Sequence, residues 1–306
     1  MNMNKNGLAK TVTGLIILLI GASVLFLFIS YIFPVLMGST SDTICQQSIE
    51  ARASAGSFGA QSTVPIKCQT KKICFVTDKS EECSEFKELD YGKIVIKKNY
   101  GENLIKEITI MQYDAWKLLG EGKWDYAPSE FWTIKTDKSY CAPYARIAMS
   151  NELRKEFDKT TIFSYEFINY QQRNSPQHSK TSYFRHLYGR DSLNELNSQI
   201  STQGVDINSL KFEVNKQYYI MSMVTKQTWL KTIIGGIVGG AGTAILASSG
   251  FGIVVLGGSA IAGGTGGATI GYFISSGESV FMPPSLIEYD AEAINSLECD
   301  DFDFSP

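Results

Sequence analysis

The chain has 306 residues, of which 28 are lysine or arginine and 31 are aspartate or glutamate, so its formal net charge is −3. This length suits one or two globular domains, the many aromatic residues exclude a disordered chain, and the lack of a strongly basic block disfavours nucleic acid as a partner. Charge is unevenly distributed, because residues 11–41 and 232–277 carry none. We take this unevenness to exclude an ordinary cytosolic globule.

The first uncharged segment covers residues 11–33 and is followed by Pro34. A helix needs about 20 apolar residues to cross a hydrocarbon layer of ~30 Å, so we expect a transmembrane anchor here. Lys5 and Lys10 precede it, which places residues 1–10 in the cytoplasm and the chain after the segment outside. A cleaved signal peptide is the alternative, but its apolar core is usually only about 7–15 residues long. We therefore expect an uncleaved signal-anchor.

Residues 34–228 are predicted to form an extracytoplasmic α+β domain. Gly92 to Lys98 and Leu104 to Met111 alternate between apolar and polar residues, which predicts a β-hairpin. Pro143 to Phe157 has helical spacing, and Lys211 to Thr228 has the pattern of a strand. At this length the domain can bury a core of its own.

The cysteines are six in number, and none lies in an uncharged segment. An even number in the proposed outer regions predicts disulfides formed in an oxidising space. Six cysteines allow 15 pairings, and the sequence does not choose among them. No Cys-x-x-Cys pair with zinc-ligand spacing is present, so we expect no metal and no cofactor. The disulfide candidates are Cys45, Cys68, Cys74, Cys83, Cys141 and Cys299.

The second uncharged segment, residues 232–277, holds 46 residues, of which 15 are glycine. A single helix of this length would measure ~69 Å, more than twice the hydrocarbon thickness, so it must break. The polar and permissive residues at 248–250 are the natural break. The sequence therefore predicts two further transmembrane helices, at 229–247 and 251–275, joined as a hairpin.

Glycines recur four residues apart in both halves of this hairpin. Residues at this spacing share one helix face, and small residues there let two membrane helices approach closely. The pattern resembles the glycine zipper of tightly packed membrane hairpins. The two stripes would pack on each other within one chain, or alternatively between chains in a homo-oligomer or around a pore. The predicted helix-packing residues are Gly235, Gly239, Gly236, Gly240, Gly263, Gly267 and Gly271.

Catalytic signatures are lacking in the sequence. It contains only His178 and His186, and the one nucleophilic pair worth considering is Cys141 with His186, which a disulfide at Cys141 would abolish. No motif of a serine hydrolase, a zinc protease or a phosphate-binding loop is present. Trp116 and Trp124 belong to an aromatic-rich stretch that would form either a binding face or core packing.

The resulting hypothesis is a multi-pass protein of the cell membrane with an α+β outer domain and three transmembrane helices. Residues 276–306 would form an acidic extracytoplasmic tail, since residues 278–306 carry eight acidic residues and no basic one. We expect a non-enzymatic surface or envelope protein whose partners are the lipid bilayer, a protein bound by the outer domain and a second copy of the hairpin. A membrane-active or pore-forming protein and a membrane-anchored enzyme are the alternatives.

Overall fold

A computed structural model of the protein describes part of the chain, and all structural statements below concern that part. The described residues are 20–21, 41–56, 60–127, 139–157, 161–189, 211–226, 251–257, 268–276, 279–291 and 299–302. The chain divides into two compact units, Met1–Ile44 and Cys45–Pro306. In the first unit, Ile20 and Gly21 are helical.

The described part of the chain contains five α-helices and ten strands. The helices are α1 (Ser41–Ala55), α2 (Tyr100–Leu118), α3 (Asn151–Lys155), α4 (Ser164–Arg173) and α5 (Tyr183–Tyr188). The strands are β1 (Lys71–Val76), β2 (Gly92–Val95), β3 (Ser139–Met149), β4 (Thr161–Phe163), β5 (Lys211–Glu213), β6 (Tyr218–Lys226), β7 (Phe251–Gly257), β8 (Ala268–Ser276), β9 (Ser279–Glu288) and β10 (Cys299–Phe302). Short 3₁₀ turns lie at Gln61–Thr63 and Ser84–Phe86.

Eight of these strands form one mixed sheet in the order β2-β1-β3-β6-β9-β8-β7, with β10 also paired to β3. Strands β2, β1, β3 and β10 are parallel to their neighbours among themselves, whereas β3–β6, β6–β9, β9–β8 and β8–β7 are antiparallel. One edge of β3 pairs with β6. The other edge is therefore shared, with β10 beside residues 139–141 and β1 beside residues 145–149. Strands β4 and β5 form a separate two-stranded sheet.

Helix α2 occupies the place where the second strand of the predicted hairpin was expected. Strand β2 confirms the first half of that prediction. The second strand, predicted from Leu104 to Met111, is wrong, because these residues lie within α2. The buried residues Leu104, Ile108, Met111 and Ala115 are spaced four, three and four positions apart, which is the period of one helix face. This face packs against β6, β9, α4 and α5 and joins the main hydrophobic core.

Strand β3 occupies most of the range in which a helix from Pro143 to Phe157 was predicted. That prediction is wrong up to Met149, and only the short helix α3 follows. Almost all of β3 is buried, and a continuous apolar run does not reveal by periodicity whether it is a strand or a helix. The strand predicted from Lys211 to Thr228 is confirmed in part, because β5 and β6 lie there with a turn between them.

The predicted membrane architecture is wrong. No helix in the described part of the chain is both long enough and apolar enough to cross a membrane. The range 251–275, predicted as the third span, contains β7 and most of β8, which pair antiparallel to each other, and β8 pairs with β9. The predicted spans at 11–33 and 229–247 lie outside the described residues, apart from the helical Ile20 and Gly21. We therefore withdraw the three-span fold, the signal-anchor and the multi-pass membrane localisation with its extracytoplasmic main domain.

The correction has a physical reason in the composition of this segment. Strand β7 has the sequence FGIVVLG, in which β-branched isoleucine and valine favour an extended chain, and each glycine disfavours a helix by ~1 kcal/mol relative to alanine. Gly271 lies in β8 opposite Val254, so it is not part of a helical stripe. The other predicted helix-packing glycines, Gly235, Gly236, Gly239, Gly240, Gly263 and Gly267, lie outside the described residues.

Three disulfides use all six cysteines. Cys45 is bonded to Cys68, Cys74 to Cys83, and Cys141 to Cys299, with sequence separations of 23, 9 and 158 residues. The first joins α1 to the segment before β1, the second joins β1 to the loop after it, and the third joins the neighbouring strands β3 and β10. The Cys141–Cys299 bond, which has the largest sequence separation, therefore fixes the end of the described chain to the centre of the sheet.

We expect the Cys141–Cys299 bond to stabilise the protein more than the Cys74–Cys83 bond, because it closes a much longer loop. In the chain-entropy model the two bonds contribute about 5 and about 2.5 kcal/mol for loops of 158 and 9 residues. The double variant Cys141→Ser/Cys299→Ser should therefore lose more free energy of unfolding than Cys74→Ser/Cys83→Ser. Urea denaturation of both variants beside the wild type measures the difference, and an equal or reversed order would contradict the expectation.

Candidate functional site: a basic aromatic face

A row of side chains crosses the large sheet on the face opposite the helices. The strand register places Lys72 beside Arg146, Arg146 beside Tyr219 and Tyr219 beside Ile287. Residues directly opposite each other on neighbouring strands share a face. This face differs from the one that α2 covers, because the alternate residues Phe75, Ile147 and Ile220 belong to the helix-side core.

Two further residues extend this row. Lys93 of β2 is the register partner of Cys74, which lies two residues after Lys72 and so on the same face. Tyr289 follows the end of β9, and its ring lies 5.1 Å from that of Tyr219 in an edge-to-face arrangement. We call Lys72, Lys93, Arg146, Tyr219 and Tyr289 the basic aromatic face.

Two aromatic rings and one amide oxygen hold the guanidinium of Arg146 in place. Its guanidinium carbon lies 3.8 Å from the ring centroid of Tyr289 and 5.2 Å from that of Phe86, both within cation–π range. Its Nε and Nη2 atoms donate to Oε1 of Gln217 at 2.9 and 2.5 Å. Guanidinium has five N–H donors and stays charged at all physiological pH values, so donors remain for a ligand.

A carboxylate partner is lacking for Arg146 among the described residues. Two other half-buried cations of the domain have one, since Arg154 pairs with Glu85, and Lys216 lies 2.9 Å from Glu288. The contacts of Arg146 are instead an amide oxygen and two aromatic rings. Among the described residues its positive charge is therefore held in place without a carboxylate partner.

Tyr219 and Tyr289 supply ring surface and hydroxyl donors beside this charge. Burial raises the pKa of Tyr219, the neighbouring Tyr289 raises it further, and Arg146 opposes both effects. The hydroxyl of Tyr219 therefore stays protonated at neutral pH and can donate a hydrogen bond. Tyr289 is 39% exposed, and Lys93 is exposed as well, so a ligand can reach this end of the face from solvent.

The loop between β1 and β2 positions Phe86, the second ring that contacts Arg146. Phe86 is fully buried and packs with Cys74, Cys83 and Ala148 in a small second core. The Cys74–Cys83 disulfide anchors the loop to β1. On the other side of the loop, Glu85 pairs with Arg154 of α3.

Glu81 holds the same loop through its carboxylate. It accepts hydrogen bonds from the hydroxyl and backbone N–H of Thr77, from the backbone N–H of Asp78 and from the hydroxyl of Ser150. Burial alone would raise the pKa of Glu81, but these hydrogen bonds outweigh burial and lower it. Since the folded-state pKa is depressed, this stabilisation is present above the ordinary pKa of a glutamate and is lost as pH falls through the folded-state pKa.

We expect Glu81→Gln to make the protein less sensitive to acid. The amide cannot ionise, so the variant should be less stable than the wild type at neutral pH, and the gap should narrow as pH falls below about 4.5, near the ordinary glutamate value. Thermal unfolding at a series of pH values measures this convergence. Glu82→Gln is the matched control, because Glu82 neighbours Glu81 in the chain but is exposed. A difference in stability between Glu81→Gln and the wild type that stays constant with pH would contradict the lowered pKa of Glu81.

The Cys141–His186 pair considered from the sequence does not exist as a nucleophile with its base. Cys141 is fully buried and bonded to Cys299, so it offers no thiol. Nε2 of His186 lies 3.0 Å from Oγ of Ser179, and its ring contacts Tyr113 edge-on. Among the described residues no group of three histidine, cysteine or carboxylate side chains could hold a metal ion.

The Ser179–His186 contact belongs to a local turn. Oγ of Ser179 accepts from the backbone N–H of Thr181 at 3.0 Å and lies 3.3 Å from the carbonyl oxygen of the same residue. Serine side chains commonly hold turns in this way. Of the predicted aromatic stretch, Trp116 is a core residue whose Nε1 donates to the carbonyl oxygen of His186 at 3.1 Å.

Sequence reasoning missed all five residues of the basic aromatic face. One signal was present: Arg146 is a single charge in the buried run of β3, a placement that natural strands normally avoid. The helical interpretation of this run concealed the signal, because a helix at 143–157 would not pair with the strands that carry Lys72 and Tyr219.

Comparison with known proteins adds no relative. A scan against protein-family models, a search of curated proteins and a search of solved structures each found no match. The function of this chain has to be inferred from its own residues, and the basic aromatic face is the arrangement that best fits recognition of a ligand.

Proposed function

We propose that this protein is a non-enzymatic interaction protein that binds an anionic segment of a protein partner on its basic aromatic face. The observation that carries the proposal is Arg146, a charge on a central strand whose guanidinium contacts the rings of Tyr289 and Phe86 and has no carboxylate partner in the described part of the chain. Arginine and tyrosine are the residue types that dominate binding energy at protein interfaces. A guanidinium also matches the two oxygens of a carboxylate.

Charge complementarity selects an acidic ligand. Lys72, Lys93 and Arg146 lie on this face, and the strand register places them on three adjacent strands. An acidic peptide laid across these strands would meet the three cations in turn. The neighbouring tyrosine rings would cover its apolar parts.

A peptide fits this face better than a nucleic acid does. Proteins that bind nucleic acids usually carry a strongly basic domain that neutralises many phosphates. This chain has a net charge of −3 and a pI near 5.6, and the face provides only three cations. The cations of the face attract a short acidic segment. The net negative charge of the chain repels a longer polyanion where it extends beyond the face.

Rigidity of the face supports a recognition role. Four of its five residues lie on paired strands, and the loop that carries Phe86 is held by the Cys74–Cys83 disulfide and by Glu81. A site that is ordered before binding loses less entropy when the ligand arrives. The three disulfides thus stabilise the scaffold. The Cys74–Cys83 bond also holds Phe86, which contacts Arg146.

The test is binding of a fluorescein-labelled hexaglutamate peptide, followed by fluorescence anisotropy at low salt, with hexalysine as the opposite charge. We expect hexaglutamate to bind and hexalysine not to bind. Arg146→Gln should weaken hexaglutamate at least about fivefold, since a charged hydrogen bond contributes on the order of 1 kcal/mol or more. Arg146→Lys should lie between the two, because lysine keeps the charge but loses the planar stack and the fork.

Lys123→Gln is the matched control. Lys123 is an exposed lysine paired with Glu121 outside this face, so the variant removes the same charge without touching Arg146. It should bind hexaglutamate like the wild type. Equal binding by the wild type and Arg146→Gln would overturn the proposal. A single-stranded oligothymidine that binds while hexaglutamate does not would overturn it in favour of a nucleic-acid site.

A further inference from the structure

A separate cavity lies between α2 and α4, on the helix side of the sheet. Its volume is about 530 Å³, within the range of small-molecule sites. Ile105 and Ile162 are buried and form an apolar floor, to which the ring of Phe157 contributes. The polar lining residues are Glu102, Glu166, Asn169, Tyr170, Arg173 and Asn174.

The polar lining of the cavity changes from acidic to basic along α4. Glu166, Asn169, Tyr170 and Arg173 follow the helical spacing of three, four and seven residues, so they form one stripe along α4 that lines the cavity. Seven residues of an α-helix rise about 10 Å, which separates the acidic start of the stripe from its basic end. Glu102 of α2 adds a second carboxylate near Tyr170. Along the axis of α4, the negative charge of Glu166 and the positive charge of Arg173 are therefore set about 10 Å apart.

Side-chain amides lie between and beside these charges. Nδ2 of Asn174 donates to the carbonyl oxygen of Tyr170 at 2.9 Å, which fixes the amide plane at the end of α4. Asn169 is half-buried in the middle of the stripe. A carboxamide has both a donor and an acceptor, so it can pair with both polar groups of a peptide unit. An apolar floor below a row of amides matches an extended peptide with an apolar side chain.

We propose that this cavity binds a short peptide, about three residues long, by both of its free ends. Its ammonium group lies at Glu166, its carboxylate at Arg173, its backbone against Asn169, and its central side chain on Ile105 and Ile162. Three extended residues span about 10 Å, which matches the rise of α4 from Glu166 to Arg173. A carboxylate accepts several hydrogen bonds at once, so Glu166 can hold an ammonium group alongside its existing contact.

This site does not depend on the basic aromatic face. The two lie on opposite sides of the sheet, and no residue belongs to both. The ligand of the cavity is zwitterionic and small, whereas that of the face is anionic and extended. Each proposal can therefore fail without the other.

The experiment is isothermal titration calorimetry of the full chain with the tripeptide Gly-Leu-Gly, its N-acetylated form and its C-terminal amide. We expect saturable binding of the unmodified tripeptide. Each blocked form should bind about tenfold or more weakly, because each lacks one charge-assisted hydrogen-bonded contact. Arg173→Gln should weaken Gly-Leu-Gly and make the protein indifferent to C-terminal amidation. Glu166→Gln should do the same for N-terminal acetylation.

The blocked peptides keep the test decisive even if a variant fails to fold, because they probe the wild-type protein. Lys123→Gln is again the control and should bind Gly-Leu-Gly like the wild type. No saturable binding up to about 10 mM peptide, an affinity of little practical meaning, would overturn the proposal. Equal binding of the blocked and unmodified tripeptides would also overturn it, since the charged ends would then play no part.

Discussion

Pairing on both edges of β3 is the constraint on which the rest of the domain depends. Strand β6 takes one edge over seven residue pairs, and β1 and β10 divide the other. The side-chain period of a strand is two, so a slip of one residue would turn every side chain of β3 to the other face. Arg146 would then point into the helix-side core, and Ile147 would leave it. Register, rather than any local propensity, therefore decides that the charge lies on the face opposite the helices.

A charge on a central strand is expensive, and the structure shows how the cost is reduced. Removing a cation from water without a partner is strongly unfavourable. Arg146 remains half-buried, and two rings and one amide oxygen surround its guanidinium. An apolar residue would fill this place at lower cost. Local violations of this kind are most common where function requires them, which is the reason to place binding there.

Sequence alone predicted some elements of this protein and failed at others for identifiable reasons. Strand β2 and the strand around β6 were recognisable from alternation, whereas α2 and β3 were exchanged in type. Residues 104–111 satisfy both a period of two and a helical period over eight positions, and only the burial of Ala115 and Trp116 further on separates them. Strand β3 is buried on both faces, so it has no period to detect.

The error in the glycine-rich segment has a different origin. A charge-free run of 46 residues is compatible with two spans by length, but length does not exclude short strands separated by turns. The basic aromatic face was invisible for a third reason. Its members come from β1, β2, β3, β6 and the end of β9, and only long-range register brings them into one row. The cavity likewise needs α2 beside α4, which no local pattern specifies.

The position of Cys299 has a consequence for how the chain is made. Its partner Cys141 is synthesised 158 residues earlier, so at 5–20 residues per second Cys141 waits roughly 8 to 30 s before the correct bond can form. Cys45, Cys68, Cys74 and Cys83 are all present during that interval. Their own pairings are local, with separations of 23 and 9 residues, and can close first. Closing these two local bonds first would leave Cys141 without a competing thiol when Cys299 is synthesised.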